Sequence, residues 1–304
     1  MIAMEIRQLK TFLHVAELGS VSKASQRLRI TQPALSRQLR LLEEELSVAL
    51  FTRDGRGMVL THAGETLRGR VSGILRQLEE TKLELTLGSK VVRGRVAFGL
   101  PPSVAEALAG RLIEGFLLQH PKVSLRFVTA SSGYLLDWLH SGEIDVAILH
   151  AGEVTANIEV SPLLVEDLFL ITAADDPGAA QPSTDFAEVA QRRLLLSGPH
   201  QGLRLLLEKE AQRQGFDLDV LLEADALPVL KRLVAKGTGA TILPMAAVRQ
   251  EVEAGILAAI PFMPRLSRGL VMAQALGRPV SDATKRFCAR MQREVTEMVN
   301  AQLW

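Results

Sequence analysis

The stretch Thr31-Gln-Pro-Ala-Leu-Ser-Arg-Gln-Leu-Arg-Leu-Leu-Glu-Glu-Glu-Leu46 decides the fold of the N-terminal third of the chain. Four leucines in it are spaced by four, three and four residues: Leu35, Leu39, Leu42 and Leu46. This spacing places them on one stripe of a helix over residues 32–46. Thr31 is a suitable N-cap, and Pro33 suits the first helical turn, where its missing N–H costs nothing.

The opposite face of this predicted helix carries Pro33, Ser36, Arg37 and Arg40, with Gln32 at its N-terminal flank, and all of these except Pro33 have side chains that can hydrogen-bond to DNA. The far end turns acidic at residues 43–45. A recognition helix needs this arrangement, because its N-terminal half enters the major groove, where Gln and Arg read base edges. We therefore predict DNA contacts from this face, from the N-cap Thr31, and from Lys23 in the preceding helix.

The segments around the recognition helix complete a small domain. Apolar spacing predicts a helix over residues 5–18, ended by Gly19, and a short helix over residues 22–28. Two short apolar segments flank Asp54-Gly55, a strong hairpin signal. Arg53 and Arg56 bracket its tip, so we predict a basic wing that touches the DNA backbone or minor groove. The sequence predicts an all-α winged helix-turn-helix.

The composition is that of a globular protein. The 304 residues are 47% hydrophobic and 23% charged, with a net charge of +1. We see no secretory signal or membrane-length apolar run and expect a cytoplasmic location with no membrane partner. The charge distribution is informative, because residues 18–42 contain five basic residues and no acidic one: Lys23, Arg27, Arg29, Arg37 and Arg40.

Residues 6–65 resemble the DNA-binding domain of LysR-type transcription regulators. The resemblance is carried by Ala24-Ser-Gln-Arg-Leu28, Gln32-Pro-Ala-Leu-Ser-Arg-Gln-Leu39, Leu41-Leu-Glu-Glu-Glu-Leu46, Leu50-Phe-Thr-Arg53 and Leu60-Thr-His-Ala-Gly-Glu65. It implies a DNA-binding domain over residues 4–61, with the helix-turn-helix at 21–40. It also implies a double-stranded DNA operator and RNA polymerase as partners.

A long linker helix is predicted over residues 62–88, with Thr61 as its N-cap. Its apolar positions follow a heptad rhythm, interrupted at Thr81: Leu67, Val71, Ile74, Leu78 and Leu85. So narrow a seam indicates a coiled-coil partner, and the alternative is a helix packed on its own chain. The resemblance favours dimerisation through this helix and a homotetramer through the C-terminal domains.

The rest of the chain alternates between predicted strands and helices, which indicates an α/β domain with mainly parallel sheets. It is similar to the effector-binding region of LysR-type regulators, and Pro162-Leu-Leu-Val-Glu-Asp-Leu-Phe-Leu170 resembles the nitrogen-assimilation-control branch. The resemblance implies an effector domain over residues 91–304 with two subdomains, as in periplasmic binding proteins. Subdomain I would comprise residues 91–161 and 269–304, and subdomain II residues 162–268.

Three polar turns follow predicted strands, where ligands of open α/β sheets bind. They begin at Pro101, Thr129 and Ser197, and they supply Ser103, Ser131, Ser132, Ser197 and His200. Arg204 lies one helical turn beyond the third and can clamp a carboxylate. We therefore predict a small anionic effector, with N-capping as the alternative role of the serines and a surface salt bridge as that of Arg204. The resemblance favours Ser103 and Ser132.

We find no catalytic motif, no cofactor-binding fingerprint and no metal-ligand spacing among the histidines. Cys288, the single cysteine, is interpreted as an ordinary apolar residue rather than a redox sensor. We expect a regulator controlled by a small molecule and not an enzyme. The alternatives are a constitutive regulator whose C-terminal half only oligomerises, and a small-molecule-binding protein of another class.

Overall fold

A computed structural model describes residues 4–55, 57–87, 92–153 and 156–304. The chain divides into an N-terminal unit, essentially residues 1–89, and a C-terminal unit. Among the described helices, none has both the length and the apolar character needed to cross a bilayer.

The N-terminal unit contains four helices and a hairpin. They are α1 (Ile6–Leu18), α2 (Val21–Leu28), α3 (Gln32–Leu46), β1 (Phe51–Asp54), β2 (Gly57–Leu60) and α4 (His62–Leu87). β1 and β2 pair antiparallel, with Phe51 opposite Leu60. The predicted helix-turn-helix, wing and long helix are therefore all present.

Local chemistry fixes where these helices begin and end. Gly19 closes α1 in the left-handed conformation, with φ of 60°. The Thr31 hydroxyl accepts a hydrogen bond from the backbone N–H of Ala34 and caps α3. The Thr61 hydroxyl accepts one from the N–H of Gly64 at 3.0 Å at the start of α4. Both predicted N-caps are confirmed.

The core of this unit joins α1, α3 and α4. Phe12, Leu35 and Leu42 are completely buried, and Val71 and Leu75 of α4 pack into the same cluster. Glu43 links α3 to the start of the hairpin, because its Oε1 accepts hydrogen bonds from the backbone N–H groups of Leu50 and Phe51, at 2.7 and 3.2 Å.

The C-terminal unit is an α/β structure with two lobes. Its strands are β3 (Gly94–Leu100), β4 (Val123–Thr129), β5 (Val146–His150), β6 (Ile158–Ala173), β7 (Leu194–Leu196), β8 (Val220–Glu223), β9 (Thr241–Pro244), β10 (Leu257–Pro261) and β11 (Ser267–Ala275). Its helices are α5 (Pro102–Gln119), α6 (Ser132–Ser141), α7 (Phe186–Ala190), α8 (Gly202–Gln214), α9 (Leu227–Ala235), α10 (Arg249–Glu253) and α11 (Asp282–Asn300).

The long strands β6 and β11 belong to both lobes. They pair antiparallel from Ile158 opposite Ala275 to Asp167 opposite Ser267, and β6 then continues into pairings with β9 and β10. The larger sheet has the order β10-β6-β11-β5-β3-β4. We call the part around β3, β4 and β5 the first lobe, and the part around β7, β8 and β9 the second lobe.

The expectation of mainly parallel sheets is wrong. Among the described strands, parallel ladders join β3 to β4 and β5, and β7 to β8. The ladders that involve β6 and the one between β11 and β5 are antiparallel. The reason is that the chain crosses between the lobes twice, in opposite directions, through β6 and β11. The predicted subdomain limits at residues 161 and 269 fall inside these two strands.

Each lobe has its own hydrophobic core. In the first lobe, Phe98, Phe116 and Phe287 pack together, with ring centroids 4.6 Å apart for Phe98 and Phe287. In the second lobe, Leu195 and Ile242 belong to a separate cluster. Because each core lies within a lobe, the space where the lobes meet is left for other side chains.

Candidate DNA-binding surface and effector site

Helix α3, the predicted recognition helix, exposes the face that was predicted to contact DNA. Gln32, Pro33, Ser36, Arg37 and Arg40 are exposed, whereas Leu35, Leu39 and Leu42 are buried. The Gln32 amide donates to the Ser22 hydroxyl at 3.2 Å, and Arg40 lies 3.3 Å from Glu44.

Basic side chains around this face are available for phosphates or bases. Lys23 on α2, Arg37 on α3 and Arg53 on β1 are exposed, and none has an ion pair among the described residues. Arg27 differs, because it pairs with Glu17 at 3.0 Å. Arg56, the second predicted wing residue, lies outside the described residues. The unpaired cations leave a positive surface without internal compensation.

Helix α4 has two apolar faces rather than one seam. Val71 and Leu75 are buried in the core of the N-terminal unit, and Leu67 packs against it. Ile74 and Leu78 instead point outward, with 55% and 45% of their surface exposed. The prediction that Leu67 and Val71 belong to an intermolecular seam is wrong, because both residues pack into the hydrophobic core of their own chain. The Leu85 side chain lies outside the described part.

Two cavities lie where the lobes of the C-terminal unit meet. The large cavity, of about 660 Å³, is lined by residues that include Glu106, Phe127, Ser131, Tyr134, Gln201 and Asp225. The small cavity, of about 50 Å³, is lined by residues that include Ser103, His150, Ser197, Gln201, Asp225 and Arg268. The large cavity has the size of a small-molecule site, whereas the small one has room for only a few waters.

The predicted effector residues are divided between these places. Ser103 and Ser197 line the small cavity and Ser131 lines the large one. Ser131 and Ser132 are buried, and their hydroxyls have no hydrogen-bond partner among the described residues. Neither hydroxyl therefore caps α6. His200 is exposed.

Arg204 is held by internal acceptors. Its guanidinium donates to Glu208 at 2.6 Å, to the Ser197 carbonyl at 3.3 Å and to Glu223 at 3.4 Å. Arg204 is not one of the described residues that line either cavity. These partners favour the alternative role of Arg204 in a salt bridge, and that salt bridge is buried rather than on the surface. Its role in clamping a carboxylate ligand stays a prediction.

The sequence did not predict the buried network beside the small cavity. The Arg268 guanidinium donates to Glu166 at 2.6 Å and to the Ser103 hydroxyl at 2.7 Å. The indole N–H of Trp304 donates to the other Glu166 oxygen at 2.6 Å. Arg268 and Glu166 lie on β11 and β6, which were not predicted as strands, so no spacing rule linked them.

His150 lies at the carboxyl end of β5 and lines the small cavity. It is buried, and its Nδ1 has no hydrogen-bond partner among the described residues. Burial, with a smaller effect of the Arg268 charge, lowers the pKa of His150 from 6.5 to about 3. The rule that placed polar turns at strand ends would also have found His150, because this residue directly follows the apolar run Val146-Ala-Ile-Leu149, which is typical of a buried strand.

Two further groups were also missed by sequence reasoning. Asp225 lines both cavities, and its Oδ1 accepts hydrogen bonds from the Gly198 N–H at 3.0 Å and the Gln201 amide at 3.3 Å. Lys231 on α9 is buried and lies 2.9 Å from Glu106 and 2.6 Å from Glu251. Although burial opposes it, the hydrogen bonds to these carboxylates raise the pKa of Lys231 above its usual value.

Cys288 lies on α11 and is buried. Burial, reinforced by the negative charge of Asp145, raises the pKa of its thiol to about 12. A thiol in this state forms little thiolate and reacts slowly. Among the described residues, no group of three or more His, Cys, Asp or Glu side chains is arranged to hold a metal ion.

Two protein families match the chain. The family described as bacterial regulatory helix-turn-helix protein, lysR family, matches residues 6–65. The family described as LysR substrate binding domain matches residues 89–296. Together they cover both the DNA-binding surface and the lobes that enclose the cavities.

Curated relatives are transcription regulators, not enzymes. The nitrogen assimilation regulatory protein nac of Klebsiella aerogenes is 33% identical over 247 residues, which cover 81% of this chain and 80% of the relative. The HTH-type transcriptional regulator BbuR of Bordetella bronchiseptica is 32% identical over 286 residues, or 93% and 85% of the two chains. The DNA-binding transcriptional dual regulator OxyR of Escherichia coli is 30% identical over 304 residues, or 99% and 96%.

Solved structures share the fold. A variant of full-length OxyR from Pseudomonas aeruginosa is 24% identical, has a TM-score of 0.75, and matches over 96% of this chain and 98% of that one. Full-length CbnR complexed with its target DNA is 21% identical, has a TM-score of 0.67, and matches over 95% and 99%. The chain belongs to the LysR family of DNA-binding transcription regulators, with a helix-turn-helix domain and an effector-binding domain.

Proposed function

We propose that α3 reads a specific operator with Gln32, Ser36, Arg37 and Arg40, while Thr31 and Pro33 bring its first turn close to the DNA. The observation that carries this proposal is an exposed polar and basic face opposite a buried leucine stripe on one helix. Lys23, Arg53 and Arg56 would bind phosphates on either side. The proposed domain limits are residues 4–61 for the DNA-binding domain, 62–88 for the linker helix and 91–304 for the effector domain.

DNA footprinting with Arg37→Ala tests the proposal. A lost bidentate base contact costs about 1–3 kcal/mol, so specific protection should weaken by roughly tenfold or more while the fold is retained. The matched control is Arg232→Ala, which removes an exposed arginine from α9 in the C-terminal unit. Unchanged protection by Arg37→Ala would show that α3 is not the recognition helix.

We also propose that α4 pairs with a second copy of the chain through Ile74 and Leu78. Two DNA-binding domains would then sit on one duplex, and the C-terminal units would assemble the dimers into a tetramer. RNA polymerase is a further proposed partner, since regulators of this family act on transcription. The site of action would be the cytoplasm, where bacterial DNA lies.

The C-terminal unit is proposed to bind a small effector where its lobes meet. Ser103 and Ser197 at the small cavity and Ser131 at the large cavity support this proposal. Ser132, His200 and Arg204 line neither of these two cavities and remain proposed contacts. Peroxide is named for relatives described as hydrogen peroxide-inducible genes activators. Cys288, the only cysteine, does not suit reaction with peroxide, because it is buried and its pKa is raised.

A further inference from the structure

We infer that the large cavity accepts an organic cation, such as a small amine with an apolar body, and not the anion expected from the strand ends. This inference rests on the proposed function, in which the cavity receives the effector. It adds the chemical class of the ligand. Four features carry it: the pairing of the buried cations, the Asp225 carboxylate, the aromatic walls and one unpartnered hydroxyl.

The buried cations near the lobe junction already have anionic partners. Among the described residues of the C-terminal unit, the buried cations are Arg204, Lys231 and Arg268. Their partners are Glu208 and Glu223 for Arg204, Glu106 and Glu251 for Lys231, and Glu166 for Arg268. Of these five carboxylates Glu166 alone is buried, and the other four are 26–51% exposed and screened by water. Each buried cation in the described part of this unit is therefore already paired, and an anionic ligand would have to compete with a carboxylate for it.

Asp225 provides a carboxylate in the wall shared by both cavities. Its Oδ1 is used by Gly198 and Gln201. Among the described residues no hydrogen bond reaches Oδ2, so this oxygen is available to an ammonium or guanidinium group. Glu106 lies in the wall of the same cavity, and its partner Lys231 is shared with Glu251. A cation near Glu106 would therefore meet a carboxylate that is only partly neutralised.

Aromatic rings form another part of the wall. Phe127 stacks on Phe98 with centroids 5.0 Å apart, and Tyr134 stacks on Trp138 at 6.3 Å. Phe127 and Tyr134 line the large cavity and are both partly exposed. Faces of such rings attract cations, and the same rings pack against an apolar body.

Ser131 provides a separate observation that indicates a ligand in the large cavity. It is only 3% exposed, lines the large cavity, and its hydroxyl has no hydrogen-bond partner among the described residues. Buried hydroxyls in folded proteins are almost always paired. The oxygen itself is covered, so a ligand reaches it only after a small shift of the neighbouring side chains, and an ammonium group would then donate to it.

The test uses two pairs of probes that share a body and differ in charge. Phenethylamine is compared with 3-phenylpropionate, and putrescine with adipate, by isothermal titration calorimetry of the full chain. We expect binding of at least one amine and weaker or undetectable binding of its acid. Asp225→Asn keeps the Oδ1 acceptor but removes the charge, so it should weaken amine binding about tenfold. Tyr134→Ala should weaken it several-fold.

The matched control is Asp217→Asn, an exposed aspartate in the loop after α8; it should leave amine binding unchanged. The inference is overturned if neither amine binds at millimolar concentration, if an acid binds as tightly as its amine, or if Asp225→Asn binds like the wild type. Operator gel shifts separate this failure from failure of the proposed function. They report on the N-terminal unit, whereas calorimetry without DNA reports on the cavity.

Discussion

At the scale of single residues, Glu166 holds a central place in the C-terminal unit. Its two oxygens accept hydrogen bonds from Arg268 on β11 and from the indole of Trp304 near the C-terminus. Arg268 also reaches Ser103 at the start of α5. One carboxylate therefore links a strand shared by both lobes to the wall of the small cavity and to the end of the chain.

Removing the charge of Glu166 should be costly. Glu166→Gln leaves Arg268 buried without a compensating charge, and the free energy of unfolding should fall by about 3–5 kcal/mol. Urea unfolding followed by circular dichroism measures it. The adjacent pair of Asp167 and Arg265 is more exposed and serves as the control. Asp167→Asn should cost under about 1 kcal/mol. Equal losses for the two variants would show that burial of the Glu166 pair does not matter.

His150 should make stability depend on pH. Its pKa falls from 6.5 to about 3 on folding, so between these values the unfolded chain binds more protons. The contribution is fully present above pH 6.5 and is lost as the pH falls, at up to about 1.4 kcal/mol per unit. His150→Gln should flatten the loss between pH 6 and about pH 4. The control is His200→Gln, which removes an exposed imidazole. A wild-type slope in His150→Gln would contradict the prediction.

At the scale of elements, the helices with strong spacing signals were predicted well. α3 begins and ends where the leucine spacing and the Thr31 cap place it. The strands β6, β10 and β11 were missed. β6 contains Pro162 and changes neighbours along its length, so neither face has one constant environment and the apolar alternation is broken.

The two candidate sites differ in the same way: local spacing predicts the DNA-binding residues but not most of the cavity residues. The DNA-binding residues lie on one helix and its neighbours, so local spacing places them on a common face. The cavity residues Asp225, Glu106 and Arg268 come from distant parts of the chain and meet only through the sheet topology. Local spacing carries no information about such meetings, so the sequence predicted the serines of the turns but not these charges.

Leu78 on helix α4 is an outward-facing apolar residue. Leu78→Glu places a charge at an outward apolar position, and burying it in a helix pair costs several kcal/mol without a partner. Light scattering coupled to size-exclusion chromatography should show smaller species. Leu205→Glu on α8 is the matched control, because this leucine is 49% exposed on a helix of the C-terminal unit. If both variants keep the wild-type mass, α4 is not the dimer contact.

At the scale of the whole molecule, the two proposed sites lie in different units and must communicate if the protein is a switch. The large cavity is formed by both lobes, with Phe127 and Tyr134 from the first and Asp225 from the second. A ligand that binds between lobes can favour one arrangement of them over another only by its difference in affinity for the two. Regulation therefore requires a measurable coupling free energy between amine binding and operator binding.

That coupling is reciprocal by thermodynamic necessity. If phenethylamine changes operator affinity about tenfold, within the usual range for coupled sites, saturating operator must change the amine affinity by the same factor. Gel shifts with amine, and calorimetry of the amine with and without operator, measure the two factors. In the Asp225→Asn variant, the factor for operator affinity and the factor for amine affinity should both fall towards one, which means no coupling. If the amine binds but operator affinity is unchanged, the C-terminal unit does not transmit the signal, and the constitutive regulator becomes the better description.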